Sequence, residues 1–190
     1  MKAYEGFKAQ RRAAKETIPA GGYIGEILDA AEKEYNWGSV LVISFDVREG
    51  EYQDFFKIDY QNNTSEDRKW RGTYRLNVPK NDGSEKDGWT KNTFESAIWA
   101  IEESNPGYHW DWNEKGLKKK KVGLLFRNRE WVMNGNTGWT TECGALESVD
   151  AIRSGKFKPL KDKPLPEDKR PVPAFTPDIE VDGTDDLPWD

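Results

Sequence analysis

The sequence predicts a mainly β domain: a small five-stranded barrel with one helix between strands three and four, followed by a disordered acidic tail. Three observations carry this expectation. Strand-like segments alternate apolar and polar residues with a two-residue period, most cleanly from Ser39 to Val47, where Leu41, Ile43, Phe45 and Val47 share a face. A single clear stretch has helical spacing, with Phe94, Ala97, Ile98 and Ile101 on one stripe. Beyond residue 157, Pro159, Pro164, Pro166, Pro171, Pro173 and Pro177 break any helix or central strand, and charged residues fill most of the gaps. Such a segment cannot bury enough apolar surface to offset its ordering entropy.

Residues 1–20 are expected to form an N-terminal arm, with Tyr4 and Phe7 ahead of a basic patch at Lys8, Arg11, Arg12 and Lys15. Pro19 and Gly21-Gly22 stop it, and a first strand follows from Tyr23 to about Ala30. Gly38 opens the second strand, and Arg48-Glu49-Gly50-Glu51 forms a tight turn into a third, Glu51 to Tyr60. In that third strand Tyr52, Phe56, Ile58 and Tyr60 occupy one face, Phe55 and Lys57 the other. The stretch from Gln61 to Trp89 is polar, with Tyr74, Leu76 and Val78 its few signs of order, and loops of this length are usually functional or disordered. A helix is expected from Thr93 to Ser104, capped by Asn92 with Glu95 in the capping-box position and stopped by Asn105-Pro106-Gly107. After an aromatic loop (Tyr108, Trp110, Trp112), Lys121 to Arg129 reads as strand four. A turn over Asn134 to Gly138 then leads into strand five, Trp139 to Leu146. The resulting order, three strands, a helix and two strands, is that of the OB-fold, whose second and third strands commonly bind oligonucleotides or oligosaccharides. The folded domain is therefore placed at 21–157 and the tail at 158–190.

Composition narrows the function. The formal charge is −5, yet all six acidic residues of Asp178, Glu180, Asp182, Asp185, Asp186 and Asp190 fall in a stretch without a basic residue. The negative balance belongs to the tail. Nine Trp in a strongly hydrophilic chain leave rings to spare for surfaces. Cys143 is the single cysteine, which rules out an internal disulfide or a cysteine-rich zinc site and fits a reducing cytoplasm. No long apolar run suggests a membrane span or a secretion signal, so a cytoplasmic protein is expected.

Single-strand binding needs cations that follow phosphates and rings on which bases stack, interleaved. The best match is Arg68, Lys69, Trp70, Arg71, Tyr74, Arg75 and Lys80, directly after the third strand, with Phe55 and Lys57 leading into it. A solvated loop whose Trp70 tucks into the core is the plainer reading of the same residues. A second group is Arg127, Arg129 and Trp131, at alternating positions near the end of strand four. Trp37 reads as a core or barrel-end plug. Enzymatic readings find little support. His109 is the sole histidine, excluding paired-His metal sites, and no phosphate-cradling glycine motif occurs. No cofactor, catalytic residue or metal ligand is assigned.

The final residues, Asp185, Asp186, Leu187, Pro188, Trp189 and Asp190, resemble the acidic C-terminal tip of bacterial single-stranded DNA-binding proteins. In that family the tip recruits replication, recombination and repair proteins, and the aromatic residue is the last one. Here Asp190 follows Trp189. The wider pattern, from GGYIGEILDA through VLVISFDVREGEY and DGWTKNTFESAIWAIEESNPGYHWDW, also resembles a group of small proteins of phages and integrative elements of Gram-positive bacteria, across residues 4–157. The resemblance implies a role in the single-stranded DNA metabolism of mobile elements and brings no site residues with it. The expected function is a non-enzymatic protein that coats single-stranded DNA with little sequence preference and recruits partners through its tip. The alternatives are a β-barrel interaction module that never touches DNA and a metal-dependent nuclease. Oligomeric state stays open.

Overall fold

β1, Gly21–Tyr35, is 15 residues long because it serves two partners. Its first part pairs antiparallel with β4 (Lys121–Met133), from Gly21 opposite Phe126 to Glu26 opposite Lys121. Its remainder pairs antiparallel with β2 (Gly38–Val47), as far as Tyr35 opposite Gly38. A register shift between Ile27 and Asp29 marks the bulge where the strand passes from one neighbour to the other. β3 (Thr73–Asn77) adds to β2 and β5 (Asn136–Glu147) adds to β4, giving an antiparallel sheet in the order β3-β2-β1-β4-β5. This computed structural model describes residues 17–170.

The sheet curls until its two edge strands, β3 and β5, approach one another, but among the described residues no ladder of hydrogen bonds joins them. Among the described residues two helices of eight residues or more accompany it: α1 (Phe55–Asn62) and α2 (Glu85–Glu103). α2 packs on β3, β4 and β5, covering one end of the gap between the edges. Ile27, Ile43, Phe45, Val47, Leu76, Leu124 and Val122 from the sheet meet Phe94, Ala97, Ile98 and Ile101 from α2 in one apolar core. Leu117, on a short 3-10 turn before β4, is fully buried among them. α3 (Val149–Ser154) closes the domain, with Ser148 capping it through the Ala151 N–H at 3.2 Å.

Four expectations need correction. Glu51 to Tyr60 is not a strand: a turn over residues 51–54 leads into α1, so Phe55 and Lys57 are helical. The third strand is instead β3, inside the stretch read as a polar loop, where Tyr74 and Leu76 point inward between Thr73, Arg75 and Asn77. The long helix starts at Glu85 rather than Thr93. Ser84 accepts from the Asp87 N–H at 3.1 Å, and Asp87 in turn accepts from the Lys80 N–H at 2.7 Å, tying the helix start to the chain that enters it. The barrel expected from the element order is, as hydrogen bonded, an open five-stranded sheet.

Residues 158–170, assigned by sequence to the tail, run along the outer part of β4 where β1 no longer covers it. Lys163 donates to Asn128 O at 2.8 Å and accepts from the Glu130 N–H at 2.9 Å, as in a parallel bridge. Leu165 N–H reaches Glu130 Oε2 at 2.9 Å, and Leu160 packs against Gly144. Prolines permit this because each bonding N–H belongs to the residue between them. The expected arm up to Glu16 and the acidic tip at Asp185–Asp190 lie outside the described residues.

Candidate nucleic-acid interface

Where β3 and β5 approach, a cleft of about 600 Å³ opens between them. Arg71, Arg75, Arg127, Arg129 and Lys163 line it, with Glu142 as the one acidic residue of the lining among the described residues. Its floor is apolar, formed by Phe45, Phe56 and Phe126, and its walls carry the hydroxyls of Thr73, Thr140 and Thr141. Even with Glu142 and the Asp59 partner of Arg71 counted, the cations are in excess, so this local surface is positive in a chain whose net charge is −5.

Each cation is placed by an identifiable partner. Arg75 projects outward from β3, its Nη2 2.8 Å from the Tyr35 hydroxyl and its guanidinium 5.6 Å from the Tyr35 ring centre. Tyr35 stacks on Trp37 at 5.2 Å between ring centres and 9° between planes, and Trp37 is 56% exposed. Thus Arg75 links the cleft to an open aromatic stack at the tip of the β1–β2 hairpin. Arg71 is held by Asp59 of α1 at 2.9 Å.

On the other wall, Arg127 pairs with Glu142 across the β4–β5 ladder, Arg129 with Thr140 and Trp131 with Gly138. The period of two puts these six residues on one face of the hairpin. Arg127 sends Nε and Nη2 to Glu142 Oε1 at 3.1 and 2.9 Å, while Arg129 Nε lies 3.2 Å from Oε2. Lys163 Nζ is 3.5 Å from Oε1. Beyond them the Trp131 ring lies over Gly138, where an added Cβ would come within 2.6 Å of it. Asn134 and Gly135, both at positive φ, form the tight turn of this hairpin. Trp139, 53% exposed, stands at alternate parity to Gly138.

Of the residues singled out by sequence, Phe55, Arg71, Tyr74, Arg75, Arg127 and Arg129 converge on the cleft. Tyr74 is largely buried, and burial pushes its phenol up to about 12. Lys57, Arg68, Lys69, Trp70, Lys80 and Trp131 do not line the cleft. Lys57 is exposed on α1, Arg68 sits 4.8 Å from the Tyr60 ring centre, and Lys69 is exposed. Trp70 packs against the core and donates Nε1 to Gly72 O at 3.0 Å and Phe45 O at 3.2 Å, which gives the indole a structural role. Trp37, read as a plug, is open to solvent. Sequence reasoning passed over Tyr35, Glu142 and Lys163. The Asn36-Trp37-Gly38 turn between two strands was the available signal for Tyr35, whereas no local pattern marks Lys163 as part of a cleft.

Cys143 also borders the cleft, but burial raises its thiol well above the ordinary value, the opposite of an activated nucleophile. Among the described residues no cluster of His, Cys, Asp and Glu is arranged to hold a metal ion. None of the described helices is long and apolar enough to cross a membrane. Comparison with protein-family models returns no match, and comparison with curated proteins returns none either.

Proposed function

We propose that this chain binds single-stranded DNA along the cleft between β3 and β5, without strong sequence preference and without catalysis. The observation that carries this reading is the cation-rich cleft lining, continued at its β1–β2 side by the exposed Tyr35–Trp37 stack. Cations spaced along a groove follow phosphates, and exposed rings accept any base, each stack contributing ~1–3 kcal/mol. The architecture is taken to be a partly open OB-fold. Strand order, the bent β1 shared by two neighbours, and a helix between β3 and β4 covering the gap between edge strands all support that assignment. In this reading the chain serves replication or recombination of a phage or mobile element in the cytoplasm, and the segment Thr176–Asp190 recruits partner proteins.

A titration with an oligo(dT) strand, followed by tryptophan fluorescence at low and moderate salt, tests the proposal. Saturable quenching that weakens as salt rises is expected, since counterions released from the strand drive binding. Arg75→Ala with Arg129→Ala should weaken it at least tenfold. Absence of quenching and of a mobility shift at low salt would sink the reading.

The second reading, a module that binds another protein instead, is favoured by one feature. A groove of about 470 Å³ between α2 and the loop after it is lined by Phe94, Ile98, Trp99, Trp110 and Trp112, of which Trp99 and Trp112 are widely exposed. Large exposed apolar patches commonly mark protein contacts. Failure of the DNA titration would turn attention to this groove.

A further inference from the structure

Among the described residues Glu142 is the one carboxylate in the cleft lining, and it stands where three of the cations converge. Its two oxygens receive Arg127, Arg129 and Lys163 from two separate places in the chain: β4 supplies both arginines and the segment bridged to β4 supplies the lysine. Three positive charges meeting one negative charge leave the group with a net excess of two. The ligation is that of an oxyanion, with one oxygen taking Nε and Nη2 of one guanidinium and the other taking Nε of a second. The non-bridging oxygens of a phosphodiester offer the same acceptors. Arg129 and Lys163 are also 46% and 55% exposed, so a strand can approach them from solvent. Ion pairs this open to water add little to stability and exchange readily.

We infer that Glu142 is an internal stand-in for a backbone phosphate: it holds Arg127, Arg129 and Lys163 in position while the cleft is empty and is displaced by a phosphodiester when a strand binds. The inference rests on the single-strand reading above and adds how that site is controlled. Without the carboxylate, three like charges would repel and splay; with it, they stay preorganised, and binding must exchange one anion for another. Glu142 therefore lowers affinity and screens out weakly charged ligands.

The test is the oligo(dT) titration of wild type and Glu142→Gln across a series of salt concentrations. Gln keeps the shape and removes the competing charge, so the variant should bind roughly tenfold tighter. Its slope of log affinity against log salt should steepen by about 0.7, the value of one further phosphate contact on a single strand. Equal or weaker binding by a folded Glu142→Gln, with an unchanged slope, overturns the inference and leaves the single-strand reading standing. Absence of binding by both proteins overturns both. Should the variant fail to fold, wild-type NMR decides: the Arg127 and Arg129 Nε–H resonances should gain scalar coupling to 31P on adding the strand, and their retention of a carboxylate partner would refute the exchange.

Discussion

Tyr74 lies on the inner face of β3, and burial pushes its phenol up to about 12, so the unfolded chain, near 10, releases that proton first. Stability from this group is therefore complete below pH 10 and is lost as pH rises from 10 to 12. Urea unfolding at pH 9, 10 and 11 should show wild type losing stability relative to Tyr74→Phe over that range; parallel curves would refute the assignment. Trp70 shows how a residue's type misleads when its partners are distant. A tryptophan among Arg68, Lys69 and Arg71 has the composition of a stacking platform, yet its Nε1 bonds to Phe45 O and Gly72 O, tying the entry of β3 to β2. Next to it, a Cβ on Gly72 would sit 2.4 Å from Phe45 O, so the strand approaches too closely for any side chain. Trp70→Phe should cost about 1–2 kcal/mol in urea unfolding through its lost hydrogen bonds while changing oligo(dT) affinity less than twofold. A large loss of affinity with unchanged stability would return Trp70 to the binding surface.

At the scale of elements, α1 was illegible because its cap is remote. Asp46, buried in β2, accepts the N–H groups of Phe56 at 3.0 Å and Lys57 at 3.2 Å, ten and eleven residues later. Local alternation over Tyr52, Phe56, Ile58 and Tyr60 suggested a strand, and no neighbouring Ser, Thr or Asn cap contradicted it; Asp54, just before the helix, has positive φ and no capping bond. The β4–β5 hairpin was legible, because Asn134-Gly135 is a turn signal that acts through its own backbone. Desolvation raises the pKa of Asp46 against the pull of the Phe56, Val47 and Lys57 N–H groups. Folding thus favours its protonated form, and its contribution to stability, full below the ordinary carboxylate range, is lost as pH rises through the raised value. Asp46→Asn should cost about 1–3 kcal/mol at pH 7, because its amide nitrogen would face the Lys57 N–H. The deficit relative to wild type should widen as pH falls from 6 to 4, and a deficit that narrowed would contradict the burial argument. The β1–β2 hairpin extends past the core, where Glu32, Lys33, Glu34 and Tyr35 are all exposed and alternation has nothing to report. That explains why the strand was expected to end near Ala30. If this extension presents a stacking surface, Trp37→Ala should remove a visible share of the fluorescence quenching by oligo(dT) and weaken binding by about 1–3 kcal/mol without lowering stability. Unchanged affinity would place the bases elsewhere.

For the whole molecule, the decisive property is a separation of charge that composition conceals. Overall charge is −5, yet five cations line the cleft, three of them on Glu142, and the six acidic residues of the final stretch account for more than the entire negative excess. The sequence located that separation along the chain but not in space: Lys163 sits in a segment expected to be outside the domain, and a parallel bridge to Arg129 brings it to the cleft. Such non-local pairing leaves no periodic trace. The proposed reading implies a competition within one chain, because an acidic stretch joined to the same chain as a positive groove would reach it at high effective concentration. Removing residues 171–190 takes the charge from −5 to +1 and should tighten oligo(dT) binding several-fold at low salt. The gain should fade above ~0.15 M salt, where charges separated by more than about 8 Å are screened. Crossing this truncation with Glu142→Gln makes the argument specific. If the tail and Glu142 compete for the same cations, removing Glu142 from the full-length chain should let the tail bind more tightly, so the truncation should tighten binding more in the Glu142→Gln background than in wild type. Additive effects would assign the tail to cations outside the cleft, and no effect of truncation at low salt would end the idea that the tail shields the groove.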